Sequence, residues 1–196
     1  DKTKSVDELI AWIGAEKDLL SWKMDGLTIV LRYRDGALYQ AVTRGNGYIG
    51  ELVTGTVRAF RNVPLRIPFK GELLLRGEAL MRYSDLERIN AELPETEAKY
   101  KNPRNLCTVT AARGVYFHAF SLVEAEGVYF NNSRAAQFAW LRDQGFEVVE
   151  YETVTAATLR DSVLRFEAKI PENDFPSDGL VLLLDDIAYG ESLGRT

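Results

Sequence analysis

The stretch Leu27-Thr28-Ile29-Val30-Leu31-Arg32-Tyr33-Arg34-Asp35-Gly36-Ala37-Leu38-Tyr39-Gln40-Ala41-Val42-Thr43 sets the class of the fold. Two runs rich in β-branched and aromatic residues flank Asp35-Gly36, a dipeptide that accepts the positive φ angles of a tight hairpin turn, so strands are expected over 27–34 and 37–43. Toward the N-terminus, Ser5-Val6-Asp7-Glu8 is a capping box that opens a short amphipathic helix, which Gly14 can end. Toward the C-terminus, Arg44-Gly45-Asn46-Gly47 reads as a glycine-rich turn and residues 72–81 as a strand. Ser84-Asp85-Leu86-Glu87 is a second capping box, predicting a helix that runs to about Leu93, and a polar loop ends in Asn102-Pro103-Arg104-Asn105. A strand over 115–123, a helix over 133–144 closed by Gly145, a strand over 146–154 and a helix over 155–170 follow. Residues 179–184 are wholly apolar, which predicts a strand buried on both faces. Hairpins mixed with scattered helices predict an α+β protein, antiparallel sheets flanked by helices, and exclude a repeating βαβ array.

The chain has 196 residues, 46% hydrophobic and 27% charged, an ordinary globular composition for one sizeable domain. No apolar run approaches the roughly eighteen residues of a membrane span, and a single cysteine and a single histidine exclude a disulfide framework and a Cys-rich zinc site. No metal ligand set is expected, Cys107 reads as an inert thiol, and the cytoplasm is the expected compartment. The net charge of −5 argues against a stand-alone duplex binder, which ordinarily carries a basic face.

Lys23-Met24-Asp25-Gly26 lies just before the first hairpin strand. Four residues recur by chance, and alone they read as a solvated turn with a surface lysine. The wider pattern changes that. Trp22-Lys23-Met24-Asp25-Gly26-Leu27, Thr43-Arg44-Gly45-Asn46-Gly47, Leu75-Arg76-Gly77-Glu78, Asn102-Pro103-Arg104-Asn105, Phe117-His118-Ala119-Phe120, Asp178-Gly179 and Leu193-Gly194-Arg195-Thr196 together resemble the NAD-dependent DNA ligase family in order and spacing over nearly the whole chain.

The resemblance implies a nucleotidyltransferase fold with a central nucleotide cleft, and one adenylation domain over 1–196. It implies that Lys23 attacks the α-phosphate of NAD, releases nicotinamide mononucleotide and carries AMP for sealing nicked duplex DNA in replication and repair, with Mg²⁺ assisting. Asp25 is the second catalytic residue it implies. Ser21, Lys23, Arg44, Gly45, Glu78, Phe120, Val181 and Leu183 are the nucleotide-binding positions. Glu78 matches the position of a carboxylate on the ribose hydroxyls. Phe120 matches an aromatic that stacks on adenine, while plain core is an equal reading of the same residue. His118, one residue out of phase with Phe117 on its strand, reads as structural. Only a neutral amine attacks phosphorus, and near pH 7.4 about one lysine in a thousand is neutral at the ordinary pKa. Burial beside cations such as Arg44 would enlarge that fraction.

The chain departs from the family pattern in several places. Ser21 stands where the family has a glutamate on adenine, and Leu183 where it has a lysine near the AMP phosphate. Losing that cation predicts slower adenylation, by about two orders of magnitude. Asn46 replaces a carboxylate, and the segment after Asn105 is short, without a Ser-x-Arg-Gln element. The chain stops before the last family lysine and lacks the family's nicotinamide-mononucleotide, OB-fold, zinc-finger, helix-hairpin-helix and BRCT parts. A monomer without membrane contact is expected. The alternatives are an ATP-dependent nucleotidyltransferase and a catalytically impaired nucleotide-binding domain.

Overall fold

The computed structural model describes residues 2–44, 50–101 and 112–194. Gly45, the rest of the glycine-rich turn, Asn102–Asn105, Cys107 and the closing Arg195-Thr196 lie outside the described residues. Among the described residues, seven strands form two antiparallel sheets. One has the order β6-β1-β7 and the other β3-β2-β4-β5.

The hairpin forms as its sequence predicts. β2 (Leu27–Arg34) and β3 (Ala37–Thr43) pair across Asp35 and Gly36, whose φ angles of 52° and 76° are those of the tight turn. β4 (Leu73–Met81) pairs with β2, and β5 (Val115–Ala125) pairs with β4. Between them, α2 (Thr54–Val57) packs on β3 and α3 (Tyr83–Glu92) follows β4. The smaller sheet joins distant segments: β1 (Asp18–Met24) is its centre, flanked by β6 (Tyr151–Val154) and β7 (Ser177–Leu184). Helices α4 (Arg134–Asp143), α5 (Leu159–Lys169) and α6 (Ile187–Ser192) connect and cover these strands.

Half of the capping box of α1 (Val6–Ile13) forms: the Ser5 hydroxyl accepts from the Glu8 N–H, but the Ser5 N–H goes to the Thr3 hydroxyl, which in turn donates to the Glu8 carboxylate; Gly14 closes the helix at φ 59° as read. The second capping box does not form. The N-cap of α3 is Arg82, and Ser84 gives both its N–H and its hydroxyl to Asp174, far along the chain. A charged acceptor from a neighbouring segment outcompetes the local partner. The strand expected over 146–154 is confined to Tyr151–Val154, because Val148 instead bridges Ala119 of β5 in parallel. β7 is not buried on both faces: Leu180 to Leu183 are half-buried and only Leu184 is buried, because β7 is a sheet edge. One continuous apolar core spans both sheets, from Leu19 and Trp22 of β1 to Leu31, Leu75 and Phe117 of the larger sheet.

Candidate active site

Lys23 is the penultimate residue of β1. Side chains alternate along a strand, so Ser21 and Lys23 share one face while Leu20, Trp22 and Met24 occupy the other. Cross-strand partners share a face as well. Val181 stands opposite Ser21 and Leu183 opposite Leu19, which places three of the anticipated nucleotide residues on the face of Lys23. Leu183 lies four residues along that register from Lys23, about 13 Å at the usual strand rise.

The turn after Lys23 is pinned to the larger sheet. The buried Glu78 carboxylate accepts the Gly26 N–H at 3.0 Å and the Thr28 hydroxyl. Across the sheet, Thr28 of β2, Glu78 of β4 and His118 of β5 stand in one row. Asp25 donates its backbone N–H to the Pro176 carbonyl at 3.0 Å. Arg44 follows β3, exposed, its N–H given to the Thr28 carbonyl at 2.9 Å. Phe120 sits where β5 carries an extra residue against Arg76 and Gly77 of β4, half-buried and packed on the core. In the order β3-β2-β4-β5, Arg44 and Phe120 stand at opposite edges, about 14 Å apart at the usual strand spacing. Arg44, bonded to Thr28, adjoins the β2 end of the row, whereas Phe120 lies two residues along β5 from His118, the row's β5 member.

The immediate surroundings of Lys23 differ from the expected dry, cationic cleft. Its side chain is 48% exposed, and the group facing it is the Asp178 carboxylate, Nζ to Oδ1 3.8 Å. The irregularity between Trp22 and Met24 in the β1–β7 register brings these two side chains together. The Asp178-Gly179 dipeptide is the sequence feature that marks this partner, five residues before Leu183.

On the reverse face of β1, Trp22, Met24, His118, Phe146, Val148 and Phe175 line a cavity of about 410 Å³. His118 is buried, but not fully satisfied as the sequence reading expects of a structural histidine. Its Nε2 lies 3.4 Å from Glu147, its ring meets Phe175 edge-on, and its Nδ1 has no hydrogen-bond partner among the described residues. Burial first, then the Arg82 cation, lowers its pKa to about 4, so the imidazole is neutral at physiological pH. Among the described residues no three His, Cys, Asp or Glu side chains stand together to hold a metal, and no helix is long and apolar enough to cross a membrane.

A family profile described as the NAD-dependent DNA ligase adenylation domain matches residues 10–196. The chain is 55% identical over 205 aligned positions to a DNA ligase of Lachnoclostridium phytofermentans and 54% identical to one of Ruminiclostridium cellulolyticum. Each alignment covers 100% of this chain and 31% of the relative, so the chain spans about a third of the curated relatives it matches. Among solved structures, an archaeal ATP-dependent RNA ligase superposes with a TM-score of 0.58 at 15% identity, covering 95% of this chain and 44% of the other. The ligase domain of M. tuberculosis LigD superposes with a TM-score of 0.51 at 15% identity, covering 90% and 51%. These two likenesses concern the fold, which is that of ligase nucleotidyltransferase domains.

Proposed function

The chain belongs to the NAD-dependent DNA ligase adenylation domain family, and on that premise we propose that it is the adenylating domain of a longer ligase, with Lys23 as the residue that takes AMP from NAD. The observation that carries this reading is the placement of Lys23 at the end of β1, with its following turn held by Glu78 and its amine facing Asp178. In the step itself, a bond forms between Nζ and the α-phosphorus, the phosphoanhydride P–O bond breaks, and nicotinamide mononucleotide leaves with the bonding electrons. The ammonium sheds one proton before the attack and the nitrogen loses a second as the phosphoramidate forms; both pass to solvent, which reaches the half-exposed amine. The ion pair with Asp178 has to open for that to happen, because an ammonium has no lone pair to offer.

Ser21, Val181, Leu183, Arg44, Gly45, Glu78 and Phe120 are assigned to holding the nucleotide, with Glu78 on the ribose and Phe120 on the base. Asp25 completes the catalytic pair with Lys23. Nicked duplex DNA and magnesium belong to the whole ligase, magnesium arriving with phosphate oxygens rather than in a protein cage. The test is intact-mass spectrometry of the chain incubated with NAD or, separately, ATP. An AMP adduct that maps to Lys23 and vanishes in Lys23→Ala is the expected result. An adduct surviving in that variant overturns the assignment, and an adduct from ATP but not NAD moves the donor to the other class.

Leu183 carries a second expectation. A lysine there could extend along the face it shares with Lys23 and return a cation to the phosphate. Leu183→Lys is therefore expected to raise the rate of adduct formation about tenfold, followed as the adduct's appearance over time. An unchanged or lower rate would mean that another group already supplies that charge.

A further inference from the structure

The segment 173–178, which runs into the start of β7, meets the nucleophile turn through its last three residues. Asp178 faces the Lys23 amine, Ser177 pairs with Met24 in register, and the Pro176 carbonyl accepts the Asp25 N–H. Phe175 packs edge-on against both Tyr116 and His118 of β5, and Asn173 braces the segment from within through Ser177 and the Phe175 N–H. Asp174 is the anchor at the far end. Its carbonyl accepts the Tyr83 N–H at 2.8 Å, its Oδ1 accepts the Ser84 N–H at 3.2 Å, and its Oδ2 accepts the Ser84 hydroxyl. These bonds also satisfy the first N–H groups of α3, which otherwise have no acceptor at a helix start.

We propose that Asp174 is a positioning residue for adenylation: by tying residues 173–178 to the N-terminus of α3, directly after β4, it fixes Pro176 and Asp178 against Asp25 and Lys23. The same carboxylate thus caps a helix and sets the place of the nucleophile's partner. β4 carries Glu78, which holds Gly26, so the Lys23 turn is held on one side from β4 and on the other, through residues 173–178, from α3, which follows β4 in the chain. Ser84 gives up its local capping box for this purpose. Shifts of about 1 Å in the placement of reacting groups can cost about a hundredfold in rate, so a bond remote from the amine has leverage.

The chemical part of this proposal rests on Lys23 being the AMP acceptor, and the experiment separates the two. Asp174→Ala should lower the rate constant of Lys23 adduct formation at saturating NAD about tenfold while half-saturation moves less than about twofold. Asp174→Asn can keep both side-chain bonds, as acceptor from the Ser84 N–H and donor to its hydroxyl, and should restore the rate to within about twofold of the parent. Equal losses in the two variants, a loss confined to half-saturation, or a parent-like rate in Asp174→Ala would each overturn the proposal.

Amide hydrogen exchange supplies the arm that needs no chemistry. In Asp174→Ala the Asp25 amide should exchange at least about tenfold faster, while the Leu31 amide, in the centre of the larger sheet, keeps its parent rate. Unchanged Asp25 protection overturns the positioning role even if the parent forms no adduct, an outcome that by itself would speak only against Lys23.

Discussion

Gly26→Ala is expected to slow Lys23 adenylation by about a hundredfold or more and to lower stability by roughly 3 kcal/mol. Gly26 is present for space, since its φ is not among the positive ones. A methyl group added there would overlap the Ala79 carbonyl oxygen and stand 2.7 Å from Leu80 Cδ2. The oxygen belongs to the backbone of β4 and cannot rotate away. Leu27 is paired with Ala79 in the β2–β4 ladder, so relief requires the start of β2 to lift off β4. Lifting it stretches the Gly26 N–H bond to Glu78, a bond to a buried carboxylate worth about 1.5–3 kcal/mol. Overpacking contributes about 1–3 kcal/mol more. For a chain of this size the melting point should fall by about 10 °C. Thermal melting and the time course of the AMP adduct check both parts. A variant that melts with the parent and labels within about threefold of its rate would show that the turn has room this structure denies it.

The second large effect concerns pH. Asp18, at the start of β1, is fully buried, and neither carboxylate oxygen has a hydrogen-bond partner among the described residues. Burial first, then the neighbouring carboxylates of Glu16 and Asp185, push its pKa from 3.8 up to about 7. Between those values the folded chain holds a proton that the unfolded chain has lost, so stability falls as pH rises, and above about 7 the loss is complete. A difference of about three in pKa corresponds to about 4 kcal/mol. Asp18→Asn cannot ionise and escapes this loss. Its melting temperature, measured against the parent, should improve by about 8 °C on going from pH 5 to pH 8. His118 acts in the opposite sense, stabilising the fold as pH rises from about 4 to 6.5, and is common to both proteins, so it cancels in the difference. A gap between the two proteins that stays constant with pH would mean that the carboxylate is ionised in the fold and satisfied by a partner.

Much of this protein was legible from local pattern. The first hairpin, the Ser5 cap, the strand ending at Met81 and the helix closed by Gly145 depend on neighbours a few residues apart, and they form where turn chemistry and periodicity place them. The resemblance of scattered short motifs identified the family, because order and spacing over the whole chain restrict far more than any one tetrapeptide does. Lys23 and Glu78 stood out in the sequence for the same reason. Their roles, with those of the other nucleotide positions, remain the proposal that the adduct experiments decide.

What local pattern could not supply is which segment competes best for a given group. Ser84 has a glutamate three residues on, and sequence logic awards it a capping box; in the fold it turns to Asp174, ninety residues later in the chain. The apolar run of β7 promised burial on both faces, but its edge position leaves Leu180 to Leu183 half-covered. The partner of Lys23 is likewise a matter of register, since an irregularity where β7 meets β1 brings a carboxylate to the amine. By itself, then, the sequence determined the local elements and the family, because both are written in residues whose spacing along the chain is the information. Only the tertiary structure decided the partners of Lys23 and Ser84 and the burial of Asp18. Hydrogen bonds, ion pairs and burial depend on distance through space, which spacing along the chain does not specify.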